Sequence, residues 1–231
     1  MIETEGPIPF SQFMAMALYD PADGYYAEPR DPFGRSGDFF TAAQLQPVFG
    51  RYVLRLMEFL SPSFENCIEL GAGREDMRDV FSSRTYSPVH PGERIPKTKK
   101  AILFANEFFD ALPIDLYNGS QLLAVGIGPR GFEWHPEPPK RGVREQRPAA
   151  ALWLLEAWEA IECGHFVIID YGYRARELIR FPEGTLMSYR RHVAIEDVLS
   201  DPGKKDISAH VDWDSLLIEA RKVGWHLRSF E

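Results

Sequence analysis

An α/β fold organised on a parallel sheet is what this sequence predicts, and three observations predict it. Short apolar runs, Cys67-Ile68-Glu69-Leu70, Ala101-Ile102-Leu103-Phe104-Ala105 and His165 to Asp170, end on or beside polar residues: Glu69, Asn106-Glu107 and Asp170. The first run continues into Gly71-Ala72-Gly73, the pattern of a strand entering a tight glycine turn before a helix, where backbone N–H groups can meet a nucleotide-like ligand. Stretches with apolar residues at helical spacing lie before and between the runs. In an open parallel sheet the carboxyl ends of the strands share one edge, where ligands bind, so the polar ends are expected in one site. The alternative for each end alone is a cap on its own turn.

Taken in order, residues 8–20 put Phe10, Phe13, Met14, Ala17 and Leu18 on one helical face, with Ser11 as a cap. Residues 21–40 string together Pro, Gly, Asp and aromatics, an irregular stretch too long for a passive connection and expected as a lid. Helical periodicity resumes over 42–60, and the core begins after Ser61-Pro62 with a strand at 66–70, the glycine turn and a helix near 75–83. After a polar segment to Lys100 comes the strand 101–105. Residues 114–135 carry hairpin signals at Asn118-Gly119 and Pro129-Arg130-Gly131, an antiparallel addition. A Pro- and Arg-rich loop, a helix at 149–162, strands at 165–170 and 184–190, a helix at 212–223 and a last strand at 225–230 complete the reading. It divides into an N-terminal helical and lid region, 1–61, and a core, 62–231, within one compact domain.

Composition narrows the function. Hydrophobic residues at 45% and charged residues at 26% exclude a disordered or fibrous chain. The longest apolar run, Phe166-Val167-Ile168-Ile169, is strand-sized, so no membrane insertion is expected. Met1 to Pro7 has neither the apolar core of a signal peptide nor the basic character of a transit peptide, which points to a cytoplasmic, prokaryotic setting. A net charge of -8 argues against holding nucleic acid by bulk electrostatics. Cys67 and Cys163 read as reduced core thiols, and the histidines stand at no metal-ligand spacing.

Longer motifs carry more. Ala17-Leu18-Tyr19-Asp20-Pro21 with Gly24-Tyr25-Tyr26, Arg35-Ser36-Gly37-Asp38-Phe39-Phe40-Thr41-Ala42, Glu69-Leu70-Gly71-Ala72-Gly73, Ala105-Asn106-Glu107-Phe108-Phe109-Asp110-Ala111-Leu112-Pro113, Ile169-Asp170-Tyr171-Gly172-Tyr173, Tyr189-Arg190-Arg191-His192 and Asp206-Ile207-Ser208-Ala209-His210-Val211-Asp212 occur in this order. In this set and order the chain resembles the MidA-like methyltransferases, which include the mitochondrial complex I assembly factor 7 group. The resemblance implies a Rossmann-like class I methyltransferase sheet with helices on both faces and S-adenosyl-L-methionine as cofactor. It sets Gly71, Ala72 and Gly73 against the cofactor, Glu69 at its amino group, Asn106 at cofactor or substrate, and Gly37, Asp38 and Phe39 over it as part of the lid. It further implies arginine methylation of a partner protein, such as a subunit of a respiratory or other oligomeric complex. A guanidinium is a poor nucleophile until carboxylates orient it, and Glu107 and Asp110 are suited to that, with Asn106 beside them. The alternative for Glu107 and Asp110 is a turn cap and a helix N-terminal charge.

The chain also departs from that family. Glu75 replaces a glycine, and only Arg74 to Lys100 lies between the glycine motif and the Asn-Glu strand, leaving no room for a second crossover helix. His90 and Glu93 are the candidates for the ribose contact there. These departures support a second reading, a degenerate homologue that binds a partner without catalysis. A dinucleotide oxidoreductase is disfavoured, because the motif lacks its third glycine.

Overall fold

The computed structural model describes residues 2–27, 34, 37–38 and 47–230. They fall into two compact units: Met1–Phe39, Asp110–Ala150 and Gly172–Trp213 form the first, and Phe40–Phe109, Ala151–Tyr171 and Asp214–Glu231 the second. No helix among the described residues is long and apolar enough to cross a membrane.

The second unit is built on four parallel strands, numbered here β1 (Asn66–Leu70), β2 (Thr85–Val89), β3 (Thr98–Asn106) and β4 (Ile161–Ile169), in the order β4-β3-β1-β2. Continuous apolar runs mark strands buried on both faces, and Ala101 to Ala105 and Cys67 to Leu70 are all buried. Against one face the helix Pro47–Leu60 sets Val53 and Met57 among Phe64, Cys67, Ile102, Phe104 and Val167. The helix Pro148–Ala160 buries Ala150, Leu154, Ala157 and Ala160, a helical stripe, with proline at its first position where no amide donor is needed.

The connections between these strands differ from expectation. No regular helix follows the glycine turn: residues 73–83 form successive turns, bonded Glu75 N–H to Ala72 O, Arg78 N–H to Glu75 O and Phe81 N–H to Met77 O. Glu75 takes the left-handed conformation (φ 59°), the wrong hand for nucleating a helix. From β2 to β3 the chain crosses in residues 90–97 without a helix, held where the Ile95 N–H donates to Glu156 Oε1 at 2.9 Å. The expected strand at 225–230 is irregular, because Trp225 docks on the helix instead, donating its indole N–H to Leu154 O at 3.1 Å and packing edge-on against Trp158. Cys67 is a core thiol as expected; Cys163 is exposed, since β4 is an edge strand whose first residues leave the packed part of the sheet.

The first unit packs the helix Phe10–Tyr19, through Phe10, Phe13, Met14, Ala17 and Leu18, onto small antiparallel sheets. Hairpins stand at both predicted turns: Asn118 pairs with Gln121, and Gly128 with Gly131. A third hairpin pairs Arg190 with Val193 through Arg191 (φ 51°) and His192 (φ 64°), the left-handed pair of a type I′ turn. Ser11 does not cap its helix; Pro9 holds that position, and the Ser11 hydroxyl donates to Asp115 Oδ1. Half of the predicted lid, including Phe39, lies outside the described residues.

Candidate active site

The register of the parallel sheet brings four of the predicted polar ends together. Leu70 lies beside Ala105 and Val89, and Asn106 beside Ile169, so Glu69, Asn106, Glu107 and Asp170 share the carboxyl edge of the second unit with the glycine turn.

Glu69 is buried at the end of β1, and its carboxylate accepts the phenolic hydrogen of Tyr86 on β2. Burial pushes this carboxyl up to about 7; the Tyr86 hydrogen bond opposes the rise, and the nearby Asp76 and Glu75 carboxylates add to it. Gly71 is left-handed (φ 66°), and a Cβ there would come within 2.6 Å of the Phe108 ring, so only glycine fits this cradle. The Gly71 and Ala72 amides donate to Val89 O at 3.0 and 3.4 Å, which ties the turn to the end of β2. Gly73 is also left-handed (φ 51°). The Glu75 carboxylate is neutralised locally: Arg78 donates to it, and His90 Nε2 lies 3.3 Å from its Oε1, with the Arg78 hydrogen bond the main reason its pKa falls. Glu93 accepts the His90 backbone N–H at 2.8 Å, so this carboxylate holds its own turn.

Asn106 ends β3. Its Oδ1 is a buried acceptor without a hydrogen-bond partner, while its amide nitrogen lies 3.5 Å from Glu107 Oε1. Glu107 is held in the left-handed region (φ 49°) by its N–H donated to Ile169 O at 2.9 Å, a strained geometry typical of functional turns. Asp170 fixes the same turn: its Oδ2 accepts the Phe108 and Phe109 amides at 3.2 and 2.8 Å, and its Oδ1 the Tyr171 amide at 2.8 Å. Asp170 is a positioning residue for the Asn106-Glu107 turn.

The remaining predicted residues belong to the first unit. Asp38 is buried; its carboxylate accepts the Tyr25 hydroxyl at 2.8 Å and the Arg191 amide at 2.7 Å, and its carbonyl accepts the His192 amide at 3.0 Å. Gly37 is buried beside it. Asp110 is pushed up by burial, against the opposing field of Arg147, and its carbonyl accepts the Ala209 amide at 3.0 Å. Asp206, which sequence reasoning did not single out, is also buried and raised, chiefly by desolvation and then by Asp110, and accepts the Tyr26 hydroxyl at 2.9 Å. Tyr86 and Phe108 were missed as well. Asp206 and Phe108 lie inside sequence motifs and Tyr86 does not, but nothing local marks the neighbour each one meets, which only the fold brings close.

Known proteins resemble this chain throughout. Residues 129–230 match a family described as S-adenosyl-L-methionine-dependent methyltransferase. The mitochondrial protein arginine methyltransferase NDUFAF7 of Xenopus laevis is 26% identical over 299 aligned residues, covering 92% of this chain and 66% of that protein. The human protein of the same name is 33% identical, covering 93% of this chain and 66% of its own length. This chain thus spans about two-thirds of the length of these relatives. A crystal structure of a superfamily member from Burkholderia thailandensis bound to S-adenosyl-homocysteine is 24% identical, with a TM-score of 0.82 covering 96% of this chain and 74% of that one. That likeness establishes an α/β fold of several sheets and helices.

Proposed function

The chain belongs to the MidA-like family of S-adenosyl-L-methionine-dependent methyltransferases, and from that membership we propose that it methylates a nitrogen, the guanidinium of an arginine in a partner protein. The observation that carries the reading is the Asn106 side chain, whose buried Oδ1 has no partner at the carboxyl edge of the sheet. A buried acceptor left unmet costs about 1–3 kcal/mol, and a ligand N–H is the natural group to meet it. The reading extends the α/β fold to a Rossmann-like class I sheet, and sets the protein in a prokaryotic cytoplasm.

The residues present suit the cofactor. Gly71 keeps the turn open, Gly73 continues it, and the buried Glu69 carboxylate suits an ammonium group. Bound S-adenosyl-L-methionine supplies an electrophilic methyl group on sulfur. Asn106 Oδ1 then accepts an N–H of the substrate and orients its nitrogen, and Glu107, on its strained turn, offers a carboxylate to the guanidinium. Asp110 remains the second candidate carboxylate, and Gly37, Ala72 and Asp38 remain candidates for cofactor contacts.

One observation favours the second reading, a partner-binding homologue without catalysis: the Gly71 and Ala72 amides are already donated to Val89. Calorimetry with S-adenosyl-homocysteine separates the two. Micromolar binding supports the methyltransferase, with Asn106→Ala retaining ligand but losing methyl transfer. No heat and no thermal shift at millimolar ligand overturns it in favour of the second reading.

A further inference from the structure

We propose that the outer face of the helix Pro47–Leu60 docks a second copy of this chain, helix against helix and antiparallel about a two-fold axis. While Val53 and Met57 face the core, Tyr52, Leu56 and Phe59 remain 71%, 43% and 77% exposed. Their spacing of four and then three residues puts them in one line along the helix. Single exposed apolar residues are ordinary, but three large ones in one line form a patch of the kind that marks an interaction site.

The charges beside the stripe choose the occupant and its direction. Arg51, Arg55 and Glu58 lie on one flank, with Arg55 Nη1 3.3 Å from Glu58 Oε2. The same carboxylate, through Oε1, is 3.5 Å from Arg84. An axis passing beside Arg55 and Leu56 sets Leu56 on the Leu56 of the second copy and Tyr52 on its Phe59. It also sets each exposed Arg51 opposite the other copy's Glu58, twice by symmetry, with Arg55 at the axis already paired to its own Glu58. A parallel pairing would instead set this flank against the opposite flank of the other copy, so Arg51 and Glu58 would not meet. The patch is therefore complementary to itself, as a two-fold contact must be, and such a contact closes at two copies. A helix of 14 residues is about 21 Å long, so the contact is small and the association weak.

Sedimentation velocity on the full chain across a micromolar to sub-millimolar series reads this directly, and independently of any methyl transfer. The mass should rise with concentration from 26.4 kDa towards twice that value. Leu56→Asp and Phe59→Asp, at exposed positions, should each hold the chain at the monomer mass with unchanged circular dichroism, and Arg51→Glu should weaken association about tenfold. A chain that stays monomeric at every concentration, as expected if the stripe serves only a foreign protein, overturns the proposal. So does a dimer that survives both aspartate substitutions.

Discussion

The Glu69 carboxylate accepts the phenolic hydrogen of Tyr86 from the neighbouring strand, two residues before Gly71 opens the glycine turn. Burial raises this carboxyl from 4.5 to about 7, so between those values the folded chain holds a proton that the unfolded chain has released. Its contribution therefore makes stability fall as pH rises through that window and level off above it.

Glu69→Gln should remove this slope in a series of denaturant melts. Tyr86→Phe should cost about 2 kcal/mol above the window, where a charged acceptor is left unmet, and about 1 kcal/mol below it, where the acceptor is neutral. Equal losses at both ends would show that the bond does not depend on the charge.

The same proton links to the ligand. An ammonium group pairs with ionised Glu69, so S-adenosyl-homocysteine should bind up to about tenfold more tightly at about pH 8 than at about pH 6, through the proton released on binding. Calorimetry in buffers of different ionisation heat counts that proton. A flat profile that persists in Glu69→Gln places the ammonium elsewhere.

Gly71→Ala meets two penalties: a left-handed backbone, about 1–2 kcal/mol, and a Cβ against the Phe108 ring. Gly71→Ala with Phe108→Ala should recover the steric part and leave the backbone part. Thermal melts of the two single variants and the double variant close this cycle, and additive losses would mean that the ring does not define the cradle.

Asp38→Ala leaves the Tyr25 hydroxyl and the Arg191 amide without their shared acceptor, at a cost of about 2–3 kcal/mol. The hairpin tip at Arg191-His192 should then open to trypsin after Arg190 or Arg191, read by mass spectrometry of timed digests. An unchanged cleavage rate would mean that Asp38 does not hold the tip.

The strands and their polar ends were legible because parallel strands buried on both faces leave continuous apolar runs, and the hairpins because Asn118-Gly119 and Pro129-Arg130-Gly131 are turn chemistry. The turns at 73–83 were not, because charged residues such as Arg74 to Arg78 suit a helix and nothing in the sequence marks Glu75 as left-handed. Asp170 was legible as a strand end but not as the clamp on Phe108 and Phe109, which depends on β4 pairing with β3. Glu69 was legible as a polar strand end; its tie to Tyr86 needed β2 beside β1. The hairpin at Arg191-His192 carries no glycine at its tip, so the sequence did not announce it.

The abbreviated crossover leaves β2 as the last strand of the four-stranded sheet, and Pro88 sits within it, in register with Glu69. A proline has no amide hydrogen to offer and is tolerated only at such a margin. The shortened sheet is thus blunted where it ends, and an open margin that could template end-to-end polymerisation is denied one of its docking points.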